Sequence, residues 1–552
     1  MDIANKSSIL SIKKYLPFFV CTAIFAFYMF VYKSQANLVT QDSTRWINYG
    51  VQLFSGDLYT FHFEGGTPPF SPLVWPPGYP FLIGLTNLIF QNPNFSAYFV
   101  SMMAGTLLSL VAFYLSKELF NWEIGCIALL LCGFTKPMVF FAVSTKTRST
   151  AMLFFILSLY LLVVAFKRKK IGYSILCGIT VGAAILVRFE FALYAVIFGL
   201  LLLIYTYQKK IKLAHFVIFS LSAILIYSLY AYPLYKYSGF KIISPYIGNY
   251  IYKKPYPNKP NLNLNTYKKL DTRLRTVLFN KNTATSINLE MQNKIKASKE
   301  DFDRYETSSQ KGTSSISFVH YKGLFLKIIP ELMGSFGLLF TLGCFYCIRE
   351  KNIDSILLFL IIAATLLSYS LISTIITRYF LHLKPLVLII SSCGLYLFAD
   401  CIKRKIGYNF IFYLVILCLI ATCIFKDIYS IKKTYTTQVI AWQKSAEYLR
   451  DNADKNSIVL SRKNYPAYYS NLRTARIPDE QLNDTLEYAN HIGADYIIIN
   501  LLTCTLMPQY QILLKEKFPQ NLELCDEFFK HTKFHTRIFK IKNKESTPRG
   551  RF

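Results

Sequence analysis

Several things are missing from this sequence, and each absence removes a class of function. No CxxC pair stands with paired histidines, so the usual structural or catalytic zinc spacings are not encoded. The polar C-terminal stretch has no glycine-rich phosphate loop, which disfavours a nucleotide-binding role there. No internal repeat is visible, unlike many transporters, which are built from repeated halves. Charge is absent over long intervals: between Lys14 and Lys33, the run Tyr15 to Val31 has none. No small-residue cleavage site follows that run, so it reads as an uncleaved anchor with the N-terminus inside.

What is present instead is apolar sequence in blocks. Of the 552 residues, 53% are hydrophobic, and they gather into runs long enough to span a bilayer. Spans are predicted near 15–33, 95–116, 122–141, 149–166, 171–187, 190–207, 214–235, 323–347, 354–375, 379–400 and 409–427, about eleven in all. The formal charge of +30 raises nucleic acid as a partner, but the basic residues sit in short clusters between apolar runs and in one long polar loop, so that partner is set aside. Lys13-Lys14, Lys167 to Lys170, Lys209-Lys210-Lys212, Arg349-Lys351 and Lys403-Arg404-Lys405 all fall on one face, assigned as cytoplasmic. Anionic membrane lipid is the partner such clusters imply. Of the twelve cysteines, ten lie in or beside apolar runs; only Cys504 and Cys525 lie in polar sequence and are a candidate disulfide pair.

With an inside N-terminus, three polar pieces fall on the opposite face: loops 34–94 and 236–322, and everything after 430. The expected organisation is a membrane domain over 1–429 carrying both outer loops, followed by a small soluble α/β domain over 430–552. In that tail Trp442, Ala446, Tyr448 and Leu449 mark a helical face. Ser457 to Ser461 reads as a strand, Leu482 to Ile492 as a helix and Ala494 to Asn500 as a buried strand.

Candidate chemistry lies at the outer ends of the spans. Asp42 follows the first span closely, where a carboxylate can act as general base on a hydroxyl. A plainer account makes it the N-cap of a helix from Thr44 to Phe54. Trp75-Pro76-Pro77-Gly78-Tyr79-Pro80 precedes an apolar run, Phe81 to Phe90, too short to span, and Trp75 and Tyr79 suit the headgroup layer. Lys146 and Arg148 flank the fourth span, Arg188 and Glu190 stand between two spans, and Arg378 begins the tenth. A charge near hydrocarbon costs up to about 3 kcal/mol, and basic groups aimed at one cavity would suit a phosphate, arginine by bidentate bonds. Snorkelling to headgroups is the alternative for each.

Taken in order, Asp42, the Pro-Pro-Gly-Tyr-Pro element, Val187-Arg188-Phe189-Glu190 and Thr377-Arg378-Tyr379-Phe380-Leu381 resemble the GT-C glycosyltransferases. The narrower resemblance is to the bacterial branch related to protein O-mannosyltransferases and lipid A aminoarabinose transferases. The tail segments Val459 to Arg462, Ala467 to Ser470 and Gly493 to Ile497 are similar to the soluble domain many bacterial members carry. The resemblance implies transfer of a glycosyl group from a polyprenyl-phosphate sugar to a protein, lipid or glycan acceptor. Asp42 would engage the acceptor or reacting centre and Arg378 the lipid phosphate, with Lys146, Arg148 or Arg188 as helpers and Tyr79 at the donor. Many members carry a second acid at the outer start of the fourth span, where this chain reads Thr145-Lys146-Thr147-Arg148-Ser149-Thr150. Asp57, Glu64 or Glu190 is left to replace it. A lysine found before the proline pair in some aminoarabinose transferases is here Trp75. No cofactor is demanded, and a divalent cation is left open without ligand spacing to support it. A transporter or flippase for lipid-linked glycans, and a polysaccharide polymerase or ligase, are the competing readings. The mostly clean spans, polar mainly at their outer ends, favour the enzyme over the transporter.

Overall fold

The computed structural model describes residues 2–34, 41–55, 76–238, 332–350, 353–370, 380–406, 436–455, 457–462, 469–470, 472–477, 481–506, 508–515, 518–530 and 535–542, with isolated positions between 414 and 421. The chain divides into two compact units. Among the described residues, the first unit is a helical bundle. The second holds helix α2 (Gln41–Ser55) together with the C-terminal α/β elements.

The bundle starts with α1 (Asp2–Ser34), followed after the loop by α3 (Gly78–Phe90), α4 (Pro93–Leu119), α5 (Trp122–Phe134), α6 (Lys136–Ala142), α7 (Arg148–Arg168), α8 (Ile171–Val187), α9 (Ala192–Tyr207) and α10 (Ala214–Ser238). Later come α11 (Gly337–Arg349), α12 (Ile353–Ser370) and α13 (Lys384–Ile406). Among the described residues, six stretches are long and apolar enough to cross a membrane: Lys14–Lys33, Pro93–Leu119, Arg148–Arg168, Phe189–Tyr207, Ala214–Tyr232 and Leu381–Lys405. The α5–α6 pair adds a seventh if counted as one span. The chain is therefore a multi-pass membrane protein. Of the expected spans, 409–427 lies almost wholly outside the described residues.

The expected span 122–141 is not straight. It bends by 60° at Thr135, whose extended backbone (φ −72°, ψ 144°) ends α5 before Pro137 sets the first turn of α6. Proline lacks the amide that a continuous helix would need and disfavours helical backbone just before it. Sharp starts elsewhere come from asparagine caps: Asn92 accepts from the Phe95 amide at 3.0 Å and Asn121 from the Ile124 amide at 2.8 Å.

In hydrocarbon, helices associate through close packing of small residues rather than through water exclusion. Gly343 of α11 and Gly394 of α13 show this, because a β-carbon on either would lie 1.9 Å from a carbonyl oxygen of the other helix. Antiparallel neighbours give the bundle two ends. The N-terminus of α7 and the C-terminus of α8 share one end. The basic turns after α7, α9 and α13 share the other, where Lys167 hydrogen-bonds the Glu118 carbonyl near the end of α4.

The C-terminal elements are α14 (Thr436–Asn452), β1 (Ile458–Ser461), β2 (Arg473–Arg476), α15 (Leu482–Ile492), β3 (Tyr496–Asn500), α16 (Leu501–Leu506), β4 (Leu522–Phe528) and β5 (Thr536–Ile541). They form a five-stranded sheet in the order β2-β1-β3-β5-β4. β1 is parallel to β2 and β3, while β5 is antiparallel to β3 and β4. The expected α/β class holds, and the helix read over Leu482 to Ile492 has those bounds. Gly493 (φ 67°) caps it in the left-handed conformation that glycine adopts without strain. The core gathers Leu460, Leu486, Ile497, Ile499, Tyr510 and Phe539.

The candidate disulfide is corrected. Cys504 and Cys525 are both free; Cys504 is buried with its thiol on the Tyr510 carbonyl at 3.4 Å, and Cys525 turns to the Glu523 carbonyl at 3.6 Å. Burial pushes the Cys504 thiol up to about 11, so it stays protonated and inert. On the antiparallel edge, Glu527 Oε1 accepts from Arg537 Nε at 2.7 Å and lies 2.6 Å from His535 Nε2. Burial works to raise the Glu527 carboxyl, but the hydrogen bonds from Arg537 and His535 outweigh it and hold the group below its ordinary value.

Candidate functional site

At the bundle end where α7 begins, the turn 143–147 and the first residue of α7 carry two of the expected cations. Lys146 Nζ lies 5.2 Å from the centre of the Phe140 ring, and the Arg148 guanidinium 5.0 Å from that of Phe141. Both side chains are half-buried, and α6 supplies an aromatic bed for their charges. Several hydroxyls along this stretch of chain are buried. Those of Thr135, Ser149 and Thr150 have no hydrogen-bond partner among the described residues. A buried hydroxyl left unsatisfied costs about 1–3 kcal/mol, so three in one stretch of chain call for a functional account.

The next turn at this end joins α8 to α9 through the single helical turn Phe189–Phe191. Arg188 and Glu190, expected as a phosphate helper and a candidate second acid, are partners: Arg188 Nη2 to Glu190 Oε1 is 2.7 Å and Nε to Oε2 3.4 Å. Glu190 is thus a carboxylate held by a guanidinium, which suits orientation of Arg188 better than proton transfer. The N-terminus of α3 is pressed against the same corner. A β-carbon on Gly78 would stand 2.8 Å from the Leu186 carbonyl, so only glycine permits this approach.

Tyr79 requires a correction. It was expected at the headgroup layer as a donor-binding side chain, but it is fully buried, its hydroxyl donating to the Ala97 carbonyl at 3.1 Å or meeting Ser101 Oγ at 2.9 Å. The residue locks α3 onto α4. The apolar side chains that α3 exposes are Phe81, Leu85, Leu88, Ile89 and Phe90, as an interfacial helix requires.

The structure adds a polar cluster that the sequence reading missed. His382 Nε2 is hydrogen-bonded to the Tyr194 hydroxyl, which accepts from Thr365 Oγ1 at 3.1 Å. Phe155 and Phe191 enclose the imidazole, with ring centroids 6.3 and 5.2 Å away. Buried Lys384 donates to the carbonyls of Leu332 and Met333. The signal available in sequence was a histidine and a lysine inside an otherwise apolar run, a rare placement for ionisable groups.

Asp42 lies in α2, within its first turn rather than ahead of it, because the helix begins at Gln41. The N-cap alternative, framed on a helix from Thr44, is therefore displaced; a carboxylate in the first turn still complements the helix dipole. Arg378, Asp57, Glu64 and Trp75 lie outside the described residues. Among the described residues no three of His, Cys, Asp and Glu stand together as metal ligands would.

A bundle of this design, with an interfacial helix after a long first loop, basic turns at one end and an α/β unit in the tail, defines the GT-C class of membrane glycosyltransferase folds. Residues 74–232 match the family described as dolichyl-phosphate-mannose-protein mannosyltransferase. The fold is similar to ArnT from Cupriavidus metallidurans bound to undecaprenyl phosphate: 12% identity and TM-score 0.54 over 94% of this chain and 97% of that one. It is also similar to the archaeal oligosaccharyltransferase AglB from Archaeoglobus fulgidus, in complex with an inhibitory peptide and a dolichol-phosphate: 13% identity and TM-score 0.54 over 89% and 70%. No curated protein sequence matches the chain. The chain has the GT-C fold, and the resemblance to the group that includes O-mannosyltransferases and aminoarabinose transferases holds.

Proposed function

We propose that this protein is a glycosyltransferase that moves a hexosyl or pentosyl group from a polyprenyl-phosphate donor to an acceptor hydroxyl on the non-cytoplasmic face. The observation that carries the reading is the placement of Lys146, Arg148 and the Arg188–Glu190 pair at the bundle end opposite the lysine-rich turns, where Ser149 and Thr150, directly after Arg148, have buried hydroxyls with no hydrogen-bond partner among the described residues. The family match over 74–232 spans this whole region. Relatives of the same fold hold undecaprenyl phosphate and dolichol-phosphate, which are the lipid products such a reaction would leave.

In the proposed reaction the acceptor oxygen attacks the anomeric carbon and its proton passes to Asp42. The bond from that carbon to the phosphate oxygen breaks, with its electron pair going to the phosphate. Arg378, helped by Lys146 and Arg148, stabilises the charge left on the lipid phosphate. Arg188, clasped by Glu190, would have its guanidinium held in a fixed orientation.

The test is transfer in vitro. Purified protein in sealed proteoliposomes is given a radiolabelled polyprenyl-phosphate sugar and a membrane extract as acceptor. Label leaving the lipid for an acceptor supports the reading. Movement of intact labelled lipid between leaflets without transfer would replace it with the flippase.

A further inference from the structure

At the other end of the bundle two short turns meet. One, Lys167 to Lys170, joins α7 to α8; the other, Gln208 to Leu213, joins α9 to α10. Phe166 stacks on Tyr205 with centroids 3.9 Å apart and planes 10° from parallel, which ties the ends of α7 and α9 together. The buried contact of Ser174 Oγ with His215 Nδ1, 2.8 Å, ties the starts of α8 and α10. The basic residues of both turns are thereby brought side by side.

Glu118 neutralises part of this charge, lying 4.0 Å from Lys167 and 3.8 Å from Arg168. Lys169, Lys170, Lys209, Lys210 and Lys212 are exposed and have no carboxylate partner among the described residues. Two of them occupy unusual backbone. Lys169 (φ 53°) and Lys209 (φ 58°) sit in the left-handed region where a helix end ordinarily places glycine or asparagine. A lysine there gains from the helix dipole, yet the same sequence concentrates three more lysines beside the pair. Tyr207, Leu213 and Ile171 are exposed on the same turns, so the cations are bordered by apolar side chains suited to acyl chains.

We propose that these two turns form a binding site for the phosphodiester headgroup of an anionic phospholipid in the leaflet that faces them. Both the paired turns and the bordering apolar side chains favour a lipid over a soluble phosphate. A general excess of positive charge on one face needs neither the convergence of the turns nor lysine in left-handed backbone.

The test uses the full chain in nanodiscs, with retained lipid counted by native mass spectrometry and thermal midpoints measured in parallel. Wild type should retain phosphatidylglycerol over phosphatidylcholine and gain thermal midpoint from it, but not from soluble inorganic phosphate. Lys170→Gln with Lys210→Gln and Lys212→Gln should cut that preference by roughly tenfold or more, since each lysine near an anionic surface counts for several-fold. Lys169→Gly with Lys209→Gly should lose preference too, while its midpoint in phosphatidylcholine alone stays equal to wild type or rises, because glycine relieves the backbone. Lys455→Gln with Lys540→Gln, on the C-terminal unit, should change nothing. Equal retention by wild type and both turn variants overturns the proposal. So does equal loss in the C-terminal control, or a midpoint gain reproduced by inorganic phosphate.

Discussion

Arg188 and Glu190 clasp one another across a single intervening residue, guanidinium Nη2 to carboxylate Oε1 at 2.7 Å, with each side chain about a quarter exposed (23% and 27%). Removing either partner leaves the other charged at the edge of the bundle. Arg188→Ala is expected to destabilise by about 2 kcal/mol, the low end for a broken buried pair because both groups keep some water. Arg188→Met with Glu190→Gln should recover part of that loss. Thermal unfolding of both singles and the double in detergent checks this, and additive losses would mean that the two side chains do not depend on each other.

Asp42→Asn separates chemistry from structure. Asp42 stands in the first turn of α2, where asparagine in place of a carboxylate gives up a dipole interaction of about 0.3–1 kcal/mol, so folding and insertion should survive. If the carboxylate takes the acceptor proton, transfer should fall by about 10² to 10⁴. Full transfer by a well-folded variant would remove Asp42 from the site and send the search to Asp57 and Glu64.

Arg378→Ala is expected to raise the apparent donor KM more than Arg378→Lys, since lysine keeps the charge but loses the two-pronged geometry that matches a phosphate. Steady-state kinetics with varied donor makes the comparison. Unchanged kinetics in the alanine variant would leave Arg378 as a residue that only reaches for headgroups.

Glu527 sets an acid limit on the C-terminal unit. Its folded carboxyl titrates below the ordinary value of 4.5, so its stabilising contribution is complete above about pH 4.5 and is lost as pH falls through the lower, folded value. The gap in stability between wild type and Glu527→Gln should therefore be widest near neutral pH and close as the solution becomes acid. Limited proteolysis of the C-terminal unit across pH 7 to about pH 3.5 reads it. A gap that stays constant with pH would show that the hydrogen bonds to Arg537 and His535 do not favour the ionised form.

The α15 helix was legible because its apolar residues recur at helical spacing and Gly493 ends it; both are local signals. Runs such as Pro93–Leu119 and Arg148–Arg168 were legible because bilayer thickness is written directly as length of apolar sequence. Tyr79 misled because an aromatic beside prolines looks interfacial until the position of α4 is known. The break at Thr135 was signalled by Pro137, but a bend and a continuous span share the same composition.

The sequence by itself determined that this is a multi-pass membrane protein with an α/β tail, and that its short basic turns fall on one face. Hydropathy, charge and turn chemistry act over a few residues, so they can be read along the chain. Only the tertiary structure decided that Glu190 answers Arg188, that His382 is held by Tyr194 from 188 positions away, and that Lys169 and Lys209 belong to one cluster. Those relations depend on which helices pack together and in what rotation. Small residues such as Gly343 and Gly394 set that packing through contacts made far along the sequence.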